Sequence, residues 1–505
     1  MIRWRGQVLL LFSTSSSRQV IQVQRKNEQS ILLRMFGTTT SRCFYRKLFH
    51  HGRNCLIKAI KTDKSPCEVH AFWSHLQYIS HNVSKPSESR PKLSVTPSAG
   101  LVDEKVHIRV SGLQPYETVK LSAELEENKV VFQSYAMYIA DRNGQIDLYK
   151  DAAQSGTYAG VEPMGLFWSI SAPQGQRLIK RNVEIPWKVK IRVFPSLEDG
   201  PAYLGNAPGT CLLETRVDRS YMKSGVRRIP VKEGHFRGSI FIPEGDGPFP
   251  AVIDMSGGLV SLVETRAALL ASHGFAAFSL CYMMIDHLPK HLAEIKLQYF
   301  LDAFDWYSQQ PYVASDRMGM VGLCLGGCMA VWTAAHEPRV KAVVNFNGIP
   351  NEGIIQNGKI DPKSNGLRPD LIYVTEEGIV MKECFQVAGN KIMPAWQHGA
   401  KILILTAGDD LMTNQEFNFK FMEVCPDKYK RNIEHVHFPG AGHHIEPPYT
   451  PLCRAVDTKD RLPGMGLIAD KFLDKLMVFG GEPVQHAKAQ EFGWIKCLDF
   501  LKKSL

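Results

Sequence analysis

Between residues 92 and 215, apolar and polar residues alternate in short runs, as in Val106-His107-Ile108-Arg109-Val110, Val119-Lys120-Leu121-Ser122-Ala123 and Val189-Lys190-Ile191-Arg192-Val193. A period of two puts every second side chain on one face of a sheet, and Gly, Pro and Asn breaks between the runs mark turns. The segment predicts an antiparallel β-sandwich, with Asp141-Arg142-Asn143-Gly144 as a hairpin turn. Val226-Arg227-Arg228-Ile229-Pro230-Val231 and Arg237-Gly238-Ser239-Ile240-Phe241-Ile242-Pro243 predict two further antiparallel strands. From Phe249 onward apolar strand runs alternate with helical ones, the pattern of a mostly parallel sheet with helices on its faces. Residues 291–309 place Leu292, Ile295, Tyr299, Ala303 and Trp306 at three- and four-residue steps, which predicts one amphipathic scaffold helix. The chain thus divides into a leader over 1–90, a sandwich over 91–215 and an α/β domain over 216–505.

Within the α/β region, Met318-Gly319-Met320-Val321 predicts a strand that runs into Gly322-Leu323-Cys324-Leu325-Gly326-Gly327 and then into a helical run from Cys328. A strand, a sharp Gly-x-nucleophile-x-Gly turn and a helix form the nucleophile elbow of α/β-hydrolases, with cysteine here where most elbows carry serine. A small cysteine in a Gly-rich turn is also an ordinary packing feature, so the elbow alone leaves both readings open. The order of residues downstream of the elbow separates them. Lys401-Ile402-Leu403-Ile404-Leu405-Thr406 predicts a buried strand ending at Ala407-Gly408-Asp409-Asp410, and His435-Val436-His437-Phe438 predicts another that leads into Pro439-Gly440-Ala441-Gly442-His443-His444. Nucleophile, acid and histidine, each at a strand end and in that order, match the order of an α/β-hydrolase triad: Cys324, Asp409 or Asp410, and His443. The strand Ala251-Val252-Ile253-Asp254-Met255 enters Ser256-Gly257-Gly258-Leu259, a loop that in this fold contributes one backbone N–H to an oxyanion hole. Gly257 or Gly258 would supply that donor and Leu325 the second, each stabilising a tetrahedral oxyanion by roughly 3 kcal/mol. Ile445-Glu446-Pro447-Pro448-Tyr449 reads as a brace for the loop that carries His443 rather than as a substrate contact.

Several stretches together carry a family resemblance. They are Gly160-Val161-Glu162-Pro163-Met164-Gly165-Leu166-Phe167-Trp168, Pro439-Gly440-Ala441-Gly442-His443, Ile445-Glu446-Pro447-Pro448-Tyr449 and Gly480-Gly481-Glu482-Pro483. Over roughly residues 92 to 503 the chain resembles the type I acyl-CoA thioesterases and bile acid-CoA:amino acid N-acyltransferase. The resemblance implies an N-terminal β-sandwich followed by an α/β-hydrolase domain. It implies Cys324 as nucleophile, His443 as base and, from the match at Ala407-Gly408-Asp409-Asp410, Asp410 as the orienting acid.

Charge adds a leader to this picture. Residues 1–90 hold 15 of the 60 Lys and Arg but only 4 of the 50 Asp and Glu, so the net charge of +10 resides there and the remainder is nearly neutral. That balance argues against a nucleic-acid-binding surface. An Arg- and Ser-rich, acid-poor leader is what a mitochondrial transit peptide looks like, and mitochondrial is the expected location, with cytosolic and peroxisomal as alternatives. The rival is a secretory signal built on Val8-Leu9-Leu10-Leu11-Phe12, an apolar run far too short to span a bilayer. Lys503-Ser504-Leu505 has the letters of a peroxisomal address in the wrong order. Eleven cysteines without paired spacing suggest an unbridged intracellular chain, and Cys324 and Cys328 lack a second ligand pair, so no metal is expected.

The expected chemistry is attack of Cys324 on an acyl-CoA thioester, giving an acyl-cysteine that passes to water or to an amine such as glycine or taurine. Coenzyme A enters as part of the substrate and no cofactor is needed. No phosphate-binding loop marks where CoA sits, though charge calls for an Arg or Lys at the domain junction. Two other readings stand beside this one. A dienelactone-hydrolase-like esterase shares the cysteine elbow but is a single compact domain, and a catalytically silent acyl-CoA-binding protein would bind without turnover.

Overall fold

The computed structural model describes residues 90–505 except 172–175, 196–209, 233, 259–261, 362–367, 387–390, 458–471 and 473–474. Ahead of residue 90 it describes only the backbone of short strands between Ile2 and Ala59, which fall in a unit separate from Ser87–Leu505. The leader reading otherwise lies outside the described residues.

The sandwich pattern folds as two sheets. Strands β1 (Lys92–Thr96), β2 (Ala99–Leu101), β3 (His107–Ser111), β4 (Thr118–Glu127), β5 (Val130–Ile139), β6 (Ile146–Asp147), β7 (Ser155–Gly156), β8 (Trp187–Pro195) and β9 (Leu213–Ser220) make a six-stranded sheet ordered β7-β5-β4-β8-β9-β2 and a three-stranded sheet ordered β6-β3-β1. Leu121 faces Ala136 on β5 and Val193 on β8, and all three are fully buried. The second sheet adds Ile108 and Val110 to the same core. Burying each Leu, Ile or Val stabilises by about 1.5–3 kcal/mol, and a one-residue slip would turn the whole row to solvent, so the alternation sets the register. The turn at Asp141–Gly144 forms as expected, with Asp141 Oδ1 accepting from the Asn143 and Gln145 N–H groups and Gly144 at φ 70°. It does not close a hairpin. The strands it joins, β5 and β6, lie in different sheets, so the turn carries the chain across the sandwich.

The α/β region is an eight-stranded sheet. Its strands are β10 (Arg227–Val231), β11 (Arg237–Ile242), β12 (Phe249–Met255), β13 (Ala276–Cys281), β14 (Val313–Leu323), β15 (Ala342–Phe346), β16 (Lys401–Ala407) and β17 (Ile433–Phe438), in spatial order β10-β11-β13-β12-β14-β15-β16-β17. The first two are antiparallel to their neighbours and the other six run parallel. Helices α1 (Thr265–Ser272), α2 (Gln298–Ser308), α3 (Leu325–His336), α4 (Glu416–Val424) and α5 (Pro483–Ser504) connect and cover them. Residues 251–255 and 342–346 are buried at every position, the continuous apolar run that a sheet covered on both faces requires. The C-terminal ends of the parallel strands all open on one edge, where α/β sheets bind ligands.

The long helix expected over 291–309 is shorter. Leu292–Glu294 is a 3₁₀ turn, and the α-helix starts only at Gln298. Between them Ile295 is extended, Lys296 bridges to Lys359, and the Leu297 N–H bonds to the Gly358 carbonyl rather than into a helix. Tertiary pairing here outcompetes a sequence periodicity that is nonetheless fulfilled, since Leu292, Ile295, Tyr299 and Ala303 are all buried.

Sandwich and α/β sheet form one unit with a shared core. A polar clasp reinforces it: Asp103, after β2, accepts from Trp494 Nε1 of α5 at 2.8 Å and pairs with His273 Nε2, just past α1, at 2.6 Å. The Asp103 side chain is only 3% exposed; both partners fall on Oδ2, and Oδ1 is buried without one. Asp103→Ala is expected to lower unfolding stability by about 1–3 kcal/mol, and Trp494→Phe, which keeps the ring packing, by less; urea titration of both variants checks the order.

Candidate functional site

The elbow is built by close backbone approach. Cys324 has φ 57° and ψ −123°, a conformation costly for a residue with a side chain, and it caps α3. Its N–H bonds to the Phe346 carbonyl at 2.8 Å, and its carbonyl accepts from Cys328 N at 3.0 Å. A Cβ on Gly326 would meet the Met255 and Ser256 carbonyl oxygens at 2.3 and 2.6 Å, and one on Gly322 would meet the Gly326 backbone at 2.2 Å. These two positions accept only glycine, because a side chain at Gly326 would push the end of β12 away and one at Gly322 would open the turn itself. Gly257 lies against Cys324, where a Cβ would be 3.2 Å from the cysteine's own Cβ, and Gly258 lies against the Leu325 side chain. The Tyr282 hydroxyl donates to the Ser256 carbonyl and holds this loop over the elbow.

Asp410 and His443 converge from the ends of β16 and β17. His443 Nδ1 is 2.8 Å from Asp410 Oδ2, and both side chains are 1% exposed. The same carboxylate accepts from Met412 N, Thr413 N, Thr413 Oγ1 and Gln415 Nε2, all within 2.9 Å. So many donors fix its plane. Asp409 turns elsewhere, accepting from Gly481 N at 2.7 Å with Arg454 nearby, which settles which of the two adjacent aspartates meets the histidine. The His443 ring stacks on Phe479, and its carbonyl accepts from Asn347 Nδ2 at 2.7 Å. Burial opposes charge on this ring, but the Asp410 carboxylate and the neighbouring Cys324 sulfur outweigh it and push the imidazole up to about 10. His443 Nε2 makes no well-formed hydrogen bond, and the Cys324 sulfur acts on the ring through its charge and a weak hydrogen-bonding contact.

A cavity of about 350 Å³ opens over Cys324. The hydrolase side is largely apolar, with Leu292, Leu325, Ile354, Ile360, Phe385 and Met412, whereas Glu127, Asn128, Gln176, Arg177 and Arg181 project from the sandwich. Arg177 and Arg181 supply the cations expected at the domain junction, and Arg266 joins them from α1. Arg266 is committed to structure, paired with buried Asp254 and donating to the Met255 carbonyl at 2.9 Å. Glu446, expected to brace the His443 loop, faces the cavity and is paired with Arg177. Among the described residues no group of His, Cys, Asp and Glu is arranged to hold a metal ion. No helix of the described residues is long and apolar enough to cross a membrane.

Sequence reasoning missed the supports. Asn347, at φ 53°, accepts from Ala407 N through Oδ1 and donates to His443, tying β15, β16 and the histidine loop together. Thr413 and Gln415 do the same for Asp410. Asn-Gly at 347–348 could be read as a turn from sequence, but the reach of its side chain to residues 407 and 443 could not.

The fold and elbow define an α/β-hydrolase with an N-terminal β-sandwich. Residues 103–233 match the Acyl-CoA thioester hydrolase/BAAT N-terminal region, and residues 295–505 match the BAAT / Acyl-CoA thioester hydrolase C terminal. The chain is 35% identical over 430 residues to bile acid-CoA:amino acid N-acyltransferase of Mus musculus, covering 82% of this chain and 98% of that one. It is 34% identical over 420 residues to the mitochondrial acyl-coenzyme A thioesterase 2 of Homo sapiens, covering 80% and 82%. A solved putative dienelactone hydrolase from Klebsiella pneumoniae covers 55% of this chain and 97% of its own at 16% identity and TM-score 0.33, too distant to bear on chemistry. The chain belongs to the family of acyl-CoA thioesterases and bile acid-CoA:amino acid N-acyltransferases.

The histidines around the site make its stability depend on pH. Burial pushes His486 down to about 4 and, with the Arg177 charge, pushes His444 well below its usual value of 6.5. Both are neutral when folded and gain protons on unfolding, so their contribution is present above pH 6.5 and is lost as pH falls below it. His443 has the opposite sign: its contribution is complete below 6.5 and lost as pH rises toward about 10. Urea midpoints are therefore expected to peak near neutrality and to fall on the acid side by up to about 1.4 kcal/mol per pH unit per group. His486→Asn, which can keep the acceptor for Gly442 N at 3.1 Å, should flatten the acid limb.

Proposed function

We propose that this protein cleaves acyl-CoA thioesters through an acyl-cysteine intermediate, with Cys324, His443 and Asp410 as a catalytic triad. The observation that carries the reading is one buried imidazole held by the Asp410 carboxylate at 2.8 Å and facing the elbow cysteine at the floor of a cavity. The proton from Cys324 resides on His443, whose imidazole Asp410 and the sulfur hold protonated at neutral pH, and the sulfur adds to the thioester carbonyl at the start of α3. Backbone N–H groups of Leu325 and of Gly257 or Gly258 receive the oxyanion. Collapse expels CoA as a thiolate that takes the proton from His443. Asp410 keeps the Nδ1–H tautomer and stabilises the imidazolium, as in other triads. The apolar side of the cavity accommodates the acyl chain, and the exposed Arg181 suits an anionic CoA. The reaction needs no cofactor beyond the CoA of its substrate.

The second half-reaction decides between free acid and amide. An acyl-cysteine is a thioester, and thioesters favour amines over water more than oxoesters do. The cysteine at the elbow therefore favours transfer to an amino acid such as glycine or taurine, with hydrolysis as the competing route. Relatives named as mitochondrial and as peroxisomal both occur in this family. For this chain the Arg- and Ser-rich first 90 residues support mitochondrial import.

Product analysis with a long-chain acyl-CoA, with and without glycine or taurine, tests this function. Cys324→Ala is expected to lose on the order of 10³-fold or more in CoA release. Cys324→Ser should retain some acyl transfer and shift product from amide toward free acid. Undiminished turnover in the alanine variant would remove Cys324 from the mechanism.

A further inference from the structure

The cavity over Cys324 contains an ion pair that neither the triad nor the oxyanion donors use. Arg177, on the segment between the sandwich's helical turn at Gly165–Trp168 and β8, donates through Nη2 to a Glu446 carboxylate oxygen. The two side chains are 9% and 17% exposed and both line the cavity that Cys324 and His443 line. Burial opposes the Arg177 charge, but Glu446 more than restores it, so the guanidinium stays charged. The pair is incompletely satisfied: Arg177 Nε is buried with no hydrogen-bond partner. Beside it His444, also lining the cavity, has both ring nitrogens buried without partners. A buried polar atom left unpaired is costly in any fold, and three such atoms around one ion pair mark a surface shaped for a polar guest.

The chemistry of that guest is set by the pair. A cation and an anion side by side complement a molecule that carries an anion and a cationic or protic nitrogen a short distance apart. An amino acid or taurine is such a molecule. An arginine edge with a free Nε suits the planar, two-oxygen face of a carboxylate and also accepts a sulfonate. Glu446, an acceptor only, suits the N–H groups of an amine. His444 stays neutral through burial and the Arg177 charge, and so can donate to or accept from the guest without adding charge.

We propose that Arg177 and Glu446 form the binding site for the amino-acid acceptor, Arg177 holding its carboxylate or sulfonate and Glu446 its amine. This rests on the reading that acyl-Cys324 is resolved by an amine. Placing the pair across the junction, from a sandwich segment to the His443 loop, makes acceptor binding depend on both domains.

The test uses the full chain and a long-chain acyl-CoA, following amide and free acid separately, with glycine and with glycinamide, which keeps the amine but lacks the carboxylate. Arg177→Gln is expected to raise the KM for glycine tenfold or more while leaving the KM for glycinamide nearly unchanged. Glu446→Gln is expected to raise both. Arg177→Lys, which keeps the charge without the fork, should fall between wild type and Arg177→Gln and serves if the glutamine variant does not fold. Equal changes for glycine and glycinamide in Arg177→Gln, or an unchanged amide-to-acid ratio with only a lowered unfolding midpoint, would reduce the pair to a tie between domains and overturn the proposal. Wild-type protein that releases only free acid at saturating glycine and taurine would also overturn it while leaving acyl-CoA cleavage intact. Wild-type protein that consumes no acyl-CoA would take down both readings.

Discussion

Everything at this site depends on a backbone turn that would not form without glycine on either side of it. Cys324 occupies a left-handed conformation because β14 and α3 leave it no other; Gly322 lets the turn close on the Gly326–Gly327 backbone, and Gly326 lets it press against Met255 and Ser256. The strain raises the sulfur above the sheet edge, places the first N–H groups of α3 beside it, and brings the Gly257-Gly258 loop within van der Waals distance. A relaxed turn would bury the thiol among apolar neighbours, as happens to Cys328 one helical turn later, where burial pushes the thiol up to about 12. The same residue type is thus a packing group at one position and, in the proposed mechanism, the nucleophile four residues earlier.

The second constraint is the satisfaction of Asp410. A carboxylate this deeply buried is tolerable only when its oxygens are filled, and donors from four residues, His443 included, fill them. The orientation of His443 is in turn fixed from three sides, by Asp410 at Nδ1, by Asn347 at its carbonyl and by Phe479 under the ring. The contrast with Arg177 is informative. Asp410 and the His443 carbonyl have hydrogen-bond partners, whereas His443 Nε2, both His444 ring nitrogens and Arg177 Nε, all on residues that line the cavity, have none.

Much of the fold was legible because its signals are local or periodic. Alternation over Val119–Ala123 and Val189–Val193 reports one buried sheet face whatever the partner strand, and the elbow reports itself through two glycines and a short spacing. Cys324, an aspartate at 409 or 410, and His443 could be singled out because the fold dictates that each follow a particular strand, so order along the chain stands in for proximity. The errors came where distant segments compete with local ones. Residues 295–297 carry helical spacing but pair with Gly358 and Lys359, and Asp141–Gly144 makes its turn yet sends the chain to the other sheet. Glu446 looked like a loop brace because nothing in its neighbourhood announces Arg177, 269 residues away.

By itself, then, the sequence determined the class of fold and the family's signature motifs, and it singled out Cys324 and His443 as the residues the proposed mechanism uses, since those depend on spacing and residue type within a few turns of chain. It left Asp409 and Asp410 separable only by family resemblance. Only the tertiary structure decided between them, through which carboxylate has its hydrogen-bonding capacity filled by residues 412–415 and 443. Only the tertiary structure brought the sandwich's arginines to the rim of the hydrolase cavity and left one of them partly unpaired. The physical reason is that burial and hydrogen-bond satisfaction are properties of a closed surface, and no stretch of chain closes that surface alone.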